Sequence, residues 1–251
     1  MSAAYPLVRN LSAFSTRSGV RISPSRLASS PSATISWWMR AGMCFFSIAV
    51  CCVPAATHAQ ADPDALYRQR AHLERAREAA AIWESRLAAD ARDFEAAWKL
   101  ARAMYWLGGH DAQEARRQAL ERGVAAGRQA AALEPRRPEG HFWMAANMGA
   151  LAEAFGIRQG LRYRRPVKDA LETVLRLDPA FQQGSADRAL GRWYFKVPGV
   201  FGGSKKTSEE HLRQSLTYNP DSTASHFFLA ETLFALLQRL RDALHLLDIG
   251  Q

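Results

Sequence analysis

Cysteine is scarce in this chain of 251 residues and is confined to its start. The three cysteines, Cys44, Cys51 and Cys52, all precede residue 62. The rest of the chain therefore forms no disulfide and no thiolate metal site. With 48% apolar residues at this length, the chain can bury a hydrophobic core. This composition excludes a disulfide scaffold and a wholly disordered chain.

Acidic residues are absent from residues 1–61, which hold five arginines. Residues 62–251 keep 28 of the 33 basic side chains and all 24 acidic ones, so they carry only +4 of the formal net charge of +9. The basic character of the chain therefore belongs mainly to its first 61 residues. A nucleic-acid-binding domain concentrates its cations on one folded face, so we predict no nucleic-acid partner.

The apolar run at residues 44–56 is shorter than the roughly 20 residues that a membrane-spanning helix needs. It follows a basic start at residues 39–43 and precedes small residues at Ala59 and Ala61. This order is typical of a secretory signal peptide. We predict a signal peptide at residues 39–61, cleaved after Ala59 or Ala61, and export to the periplasm. Left uncleaved, the segment is a membrane anchor, and membrane contact is expected only through it.

Residues 1–38 are rich in serine and arginine and contain no acid. Such a composition is also typical of a mitochondrial transit peptide, which makes a mitochondrial location the alternative to export. An over-extended reading frame, with the true start at Met39, explains the same residues, and we favour it because a complete signal begins there. In either case we expect residues 1–38 to be disordered and residues 62–251 to form the folded domain.

Catalytic and metal-binding motifs are also missing. The seven histidines are scattered, and none belongs to a His-Glu-x-x-His motif or to a Cys/His cluster. The chain has no Gly-x-Ser-x-Gly elbow, and no cysteine nucleophile would survive processing. The glycine-rich stretch at residues 199–207 lacks the Gly-Lys-Ser/Thr ending of a phosphate-binding loop, so we interpret it as a connection capped by Thr207 and Glu210. We predict no enzyme activity, no cofactor and no metal.

Residues 62–251 contain a repeated pattern. Polar-Pro pairs end at Pro135, Pro179 and Pro220, with a weakened copy at Ala91, so the stops are about 41–44 residues apart. A large apolar residue followed by a small one recurs after each stop, as Leu100-Ala101, Met144-Ala145, Leu190-Gly191 and Leu229-Ala230. Each pair makes a notch where a second helix approaches closely. The pattern predicts an all-α, right-handed superhelical array of about four antiparallel helix hairpins.

This layout, over residues 70–251, resembles the tetratricopeptide repeat (TPR), although its unit is longer than the standard of about 34 residues. The stretch Gly191-Arg192-Trp193-Tyr194-Phe195, followed by Pro198 and Gly202-Gly203, resembles the periplasmic T component of TRAP-type transporters. It is also similar to the regulator-of-microtubule-dynamics family. The resemblance implies a non-catalytic binding or scaffold protein, with a periplasmic solute-binding protein as partner. A general envelope adaptor that binds a peptide of another protein is the alternative.

In hairpin arrays the first helix of each hairpin lines the concave side, which is the usual binding surface. We call these helices the first helices. On each of these helices, the side chains that lie beside the notch residues around the helix axis form a stripe of aromatic and arginine residues. Such a stripe suits an extended peptide or an amphipathic ligand that bears a carboxylate. Alternatively, these aromatic side chains pack the interior of a tight superhelix. The candidate binding residues are Trp98, Arg102, Tyr105, Phe142, Arg188, Arg192, Phe195, Phe227 and Phe234.

Two further features concern the surface. A basic cluster around Pro166, where we expect a helix to start, has the chemistry to hold a phosphate or an anionic head group, but we interpret it as a solvated loop. Its members are Arg158, Arg162, Arg164, Arg165 and Lys168.

The fourth repeat lacks a closing proline and a polar capping helix. We therefore expect either a truncated chain or a homo-oligomer that covers Leu233, Leu236, Leu237 and Leu247.

Overall fold

The structure is a computed structural model that describes residues 61–249, with side chains up to residue 245. The extension at residues 1–38, the three cysteines and nearly all of the predicted signal peptide lie outside the described residues. The described residues form nine α-helices and one short 3-10 turn, without a strand. They are α1 (Pro63–Arg68), α2 (Leu73–Ala89), α3 (Phe94–His110), α4 (Gln113–Leu133), α5 (Pro138–Ala154), α6 (Ile157–Leu177), α7 (Ser185–Lys196), the turn η1 (Gly199–Phe201), α8 (Lys205–Tyr218) and α9 (Thr223–Ile249).

The polar-Pro pairs end helices as predicted. Helices α4, α6 and α8 stop immediately before the pairs that close with Pro135, Pro179 and Pro220. At each end the residue after the helix leaves the helical conformation, and its backbone N–H still donates to the carbonyl four residues earlier. The proline that follows cannot continue the helix because it has no N–H to donate.

The helices pair into hairpins, which confirms the predicted all-α array. Helix α3 packs on α4, α5 on α6 and α7 on α8. The first helices also contact one another in sequence, since α3 contacts α5, α5 contacts α7 and α7 contacts α9. The fourth repeat differs from the prediction because it contains one 27-residue helix, α9, instead of a hairpin. Residues 231–245 contain no glycine or proline that would break this helix.

The notches explain where the helices meet. Leu100 and Ala101, Ala145, and Leu190 and Gly191 are buried in three successive hairpins. In the fourth repeat, Ala230 is exposed instead, because no second helix packs over it within the described part of the chain. From residue 61 to residue 249, no helix combines the length and the apolar character that crossing a membrane requires.

Two local predictions were wrong. The basic cluster from Arg158 to Lys168 lies on α6 instead of in a loop, because the exposed Pro166 is accommodated inside that helix. The cap of α8 is Ser204, whose hydroxyl oxygen accepts a hydrogen bond from the Thr207 N–H at 3.1 Å. Thr207 is thus the third residue of the helix, whose N–H donates to the cap, and not the residue that caps it.

Candidate binding groove on the first helices

Helix α1 is a short segment that the repeat pattern does not predict. Its start is well specified, because the Asp62 carboxylate accepts hydrogen bonds from the Asp64 and Ala65 N–H groups, and Pro63 occupies the first helical turn. Helix α1 packs on α2 and buries Tyr67. Its Asp64 and Tyr67 reach the stripe that α3 presents.

Arg102 of α3 is enclosed by aromatic rings. Its guanidinium carbon lies 4.3 Å from the ring centre of Tyr67, 4.9 Å from that of Trp98 and 5.8 Å from that of Trp83. Tyr67 also donates its hydroxyl proton to the Arg102 carbonyl oxygen at 3.4 Å. Arginine is well suited to such stacking because its charge is delocalised over a plane and is weakly hydrated. The Arg102 Nε is buried without a hydrogen-bond partner among the described residues.

A carboxylate already occupies part of this stripe. Asp64 accepts hydrogen bonds from Lys99 Nζ at 2.8 Å and from Arg102 Nη2 at 3.3 Å. Burial by itself would raise the pKa of the Asp64 carboxyl, but the Lys99 hydrogen bond and the charges of Lys99 and Arg102 lower it. The α3 stripe thus holds a carboxylate in its ionised form.

Arg70 extends the same arrangement beyond the end of α1. Its guanidinium carbon lies 5.1 Å from the Tyr67 ring centre and 4.9 Å from that of Trp106. The Trp106 Nε1–H fixes this turn by donating to the Arg70 carbonyl oxygen at 2.9 Å. Arg70 forms no ion pair with any residue that the structure describes. Burial raises the pKa of Tyr67 against the opposing charges of Arg102 and Arg70, so this phenol is neutral at ordinary pH.

These side chains border an open groove of about 400 Å³, which we call the α3 groove. Its lining residues are Asp64, Tyr67, Arg68, Arg70, Arg102, Trp143 and Gln182. Trp143 of α5 forms the opposite wall, and its indole Nε1 is buried without a hydrogen-bond partner in the described part of the chain. The exposed ring of Tyr105 stands 5.8 Å from Trp143. The groove therefore combines cations with aromatic walls, which is the chemistry of carboxylate and planar-group recognition.

A second cluster lies between α5, α7 and α9. Arg192 of α7 pairs with Glu153 of α5 at 3.1 Å and with Glu231 of α9 at 2.6 Å. These two carboxylates already satisfy the Arg192 charge, so this residue joins three first helices together. Nearby, the Lys205 ammonium lies 3.4 Å from the centre of the Phe195 ring. Burial and then the charges of Arg239 and Lys196 lower the pKa of Lys205.

The predicted stripe thus divides into several parts. Arg102 lines the α3 groove, Trp98 packs against Arg102, and Tyr105 packs against Trp143 of the groove wall. Arg192 and Phe195 lie together farther along the array. Phe142 lies in the core, with its residue only 7% exposed, and its ring packs 5.4 Å from that of Phe181. Phe227 and Phe234 project from α9 and are 61% and 63% exposed, and Arg188 is half-buried on α7.

The sequence reasoning predicted only Arg102 among the seven lining residues of the groove. The six that it missed are Asp64, Tyr67, Arg68, Arg70, Trp143 and Gln182. Trp143 is the residue after the predicted Phe142, so it lies about 100° farther around α5. The prediction therefore chose the neighbouring residue of α5. The Asp62-Pro63 pair is a recognisable helix-start signal that would have located α1. Among residues 61–249, no cluster of three or more His, Cys, Asp or Glu side chains is arranged to hold a metal ion.

The hairpin array and its groove define a TPR-like helical-repeat protein. Among solved structures, a similar one is the crystal structure of a thermophilic TPR protein in Thermus thermophilus, with a TM-score of 0.54 and 23% sequence identity. That similarity covers 71% of this chain and 83% of the other, and it concerns the fold alone. No curated protein matches the chain significantly.

The family of the chain is shown by a family model. Residues 61–233 match the model described as regulator of microtubule dynamics protein 1-3. The match covers well over half of the sequence, so the chain belongs to this family. One of the two families whose resemblance the sequence suggested is thereby confirmed.

Proposed function

We propose that this protein is a non-catalytic adaptor whose α3 groove binds an extended, carboxylate-bearing segment of a partner protein. The observation that carries the proposal is the Asp64 carboxylate, held between Lys99 and Arg102 on the groove wall. A second carboxylate has a place beside it, because Arg70 faces the groove without an ion pair among the described residues. Trp143, with Tyr105 packed beside it, supplies a flat apolar wall for the neighbouring side chains of the segment.

A selected peptide tests this function. Peptides are selected from a display library on the wild-type protein, and their affinities for Arg70→Gln and Trp143→Ala are then measured. We expect each variant to weaken binding about tenfold, since a charge-assisted pair and a desolvated aromatic anchor each contribute on this scale. Arg128→Gln, at an exposed position of α4, is the matched charge control.

A peptide whose carboxylates are replaced by amides should bind wild type and Arg70→Gln equally weakly. Selected peptides that bind both groove variants as tightly as wild type would place the binding surface elsewhere and reject the proposal. The family name refers to microtubule dynamics.

We propose further that the protein acts in the periplasm after cleavage of the signal peptide at residues 39–61. The support for this is the basic, apolar and small-residue order of that segment. Cell fractionation with N-terminal sequencing tests the location, and the expected new N-terminus is Gln60 or Asp62. A chain that keeps residues 39–61, or that is processed inside a mitochondrion, would contradict export.

A narrower candidate is an accessory role in a TRAP-type solute uptake system. It is favoured by the stretch from Gly191 to Phe195 with the following Pro198 and Gly202-Gly203, which resembles the T component of such systems. The partner would then be a periplasmic solute-binding protein. Affinity capture from a periplasmic extract should recover that protein. Its absence, with another envelope protein captured through the α3 groove, would favour the general adaptor.

A further inference from the structure

The first half of α6 carries positive charge only. Residues 154–168 contain five basic side chains and no acid. At 100° per residue, these cations occupy one continuous face of α6 that is about 160° wide. Among the described residues, none of the four arginines on this face forms an ion pair. The five residues are Arg158, Arg162, Arg164, Arg165 and Lys168.

Apolar side chains project from the same face. Ile157 is 82% exposed, and Leu161, one turn later, is also exposed. Both fall inside the arc that the arginines occupy. Isolated exposed apolar residues are ordinary on protein surfaces. Two of them that alternate with unpaired cations on one helical face form an amphipathic surface.

The connection between α7 and α8 adds a second apolar projection. Val200 and Phe201 in η1 are exposed, and Val200 is 88% exposed. The loop lies within residues 188–208, which also contain no acid. The loop lies against α6, because the Arg164 guanidinium carbon is 5.0 Å from the Phe201 ring centre. Near the end of α7, the Trp193 Nε1–H also donates to the Arg164 carbonyl oxygen at 2.9 Å.

Backbone hydrogen bonds close this loop. The Phe201 and Gly203 N–H groups both donate to the Pro198 carbonyl oxygen, and the Ser204 N–H donates to the Tyr194 carbonyl oxygen. A Cβ atom at Gly203 would lie 1.7 Å from the Val197 carbonyl oxygen, so only glycine fits there. Val200 and Phe201 are therefore exposed on a hydrogen-bonded turn.

A depression lies beside the amphipathic face of α6. It has a volume of about 480 Å³ and is lined by Arg117, Phe155, Arg158, Gln159 and Arg162. The Arg117 side chain comes from α4 and stacks over the Phe155 ring at 4.2 Å. Three guanidinium groups thus converge on a space that suits a phosphate group.

We propose that α6 residues 157–168 and loop residues 198–203, which we call the basic-apolar surface, dock on an anionic lipid bilayer. The cations attract the acidic head groups, and Ile157, Val200 and Phe201 enter the boundary between head groups and acyl chains. An acidic protein or a nucleic acid would need the charges but not the projecting apolar side chains. The proposal is independent of the α3 groove, and it adds a membrane contact to the one predicted for an uncleaved leader.

Vesicle co-sedimentation tests the proposal with the full chain. The vesicles contain either phosphatidylcholine alone or equal parts of phosphatidylcholine and phosphatidylglycerol. We expect binding to the anionic vesicles only. Arg158→Gln/Arg162→Gln and Val200→Ser/Phe201→Ser should each weaken that binding about tenfold, because two cations or two inserted apolar side chains contribute on this scale.

A matched control lies away from the basic-apolar surface. Arg92→Gln/Arg128→Gln removes two exposed cations. This variant should bind like wild type, and any binding through the first 61 residues is common to all variants. Equal binding of wild type and the two surface variants would overturn the proposal. If only the arginine variant lost vesicle binding, the proposal would also be overturned, because binding would then depend on charge alone, as expected for a surface that binds acidic proteins.

Discussion

Two glycines of α5 differ in what a side chain would meet. A Cβ atom on Gly140 would lie 2.4 Å from the Ala131 nitrogen of α4, whereas one on Gly149 meets nothing within 4 Å. Alanine is favoured over glycine in a helix by about 1 kcal/mol. We expect Gly149→Ala to raise the free energy of unfolding by up to that amount. Gly140→Ala should lower it by more than about 1 kcal/mol, because the helix backbones must separate.

Chemical denaturation of both variants measures these changes. The two substitutions are chemically identical and lie on the same helix, so helix propensity is matched between them. Equal effects on the free energy of unfolding would mean that α4 and α5 do not approach as closely as described.

Asn147 is a fully buried polar side chain that joins two first helices. Its Nδ2 donates to the Ala101 carbonyl oxygen of α3 at 3.0 Å and to the Trp143 carbonyl oxygen at 2.7 Å. In Asn147→Asp a carboxylate oxygen would face these two carbonyls. We expect unfolding to become easier by about 3 kcal/mol or more at neutral pH, because a buried charge is left without a partner.

The loss in Asn147→Asp should shrink as the pH falls, because burial raises the folded-state pKa of the new carboxyl and protonation makes it neutral. Thermal unfolding at neutral and acidic pH measures the change. The less buried Asn219→Asp is the control, and its effect should be small. A loss in Asn147→Asp that does not vary with pH would exclude a buried charge as its cause.

At the scale of helices, α1 contacts α3 through the Asp64 carboxylate as well as through Tyr67. The pKa of Asp64 is lowered in the folded state, so its contribution to docking is complete above the ordinary value of about 3.9. It is lost as the pH falls through the lowered value. We expect Asp64→Asn to reduce hydrogen-exchange protection of the Leu66 amide at neutral pH, while the amides of α4 keep theirs.

Glu78→Gln is the control for this element, since Glu78 pairs only locally with Arg75 on exposed α2 surface. Its α1 protection should equal that of wild type. Unchanged protection in Asp64→Asn would show that α1 is held by Tyr67 and Leu66 burial alone.

The elements differ in how far local sequence determines them. Pro135, Pro179 and Pro220 mark helix ends because a proline acts on its own backbone, and these ends were predicted correctly. Pro166 was misread because whether a helix tolerates a proline depends on what surrounds it, and here the ring is exposed. Trp98, Arg102 and Tyr105 follow from helical steps along α3. Asp64 reaches Arg102 only because α1 packs beside α3 in the folded chain, and the repeat pattern does not include α1.

At the scale of the whole described domain, the two proposed surfaces belong to different sets of helices. The α3 groove is lined by α1 and the turn after it, by α3 and α5, and by Gln182, whereas the basic-apolar surface lies on α6 and the α7–α8 connection. A repeat array allows this separation because each hairpin contacts mainly its neighbours. A partner segment in the groove and a bilayer at α6 are therefore compatible in one molecule.

Helix α9 carries an apolar face that no other described helix covers. Five large exposed side chains fall within about 140° of its circumference at 100° per residue. They are Phe227, Phe234, Leu237, Leu240 and Leu244. Apolar patches of this kind usually mark an interaction site on a soluble protein. We predict that they join two copies of the chain, since a self-complementary helix face makes a two-fold interface.

Light scattering coupled to size exclusion, over a range of protein concentrations, measures this association. We expect a reversible dimer for the wild type and a monomer for Leu237→Glu/Leu244→Glu, because four like charges would then meet at the interface. Arg239→Gln, on the other side of α9, lowers the net charge by one unit, compared with two in the double variant, and should leave the dimer intact. A wild-type monomer at every concentration would assign the α9 face to a different protein. A double variant that still dimerises would place the contact between copies on another helix.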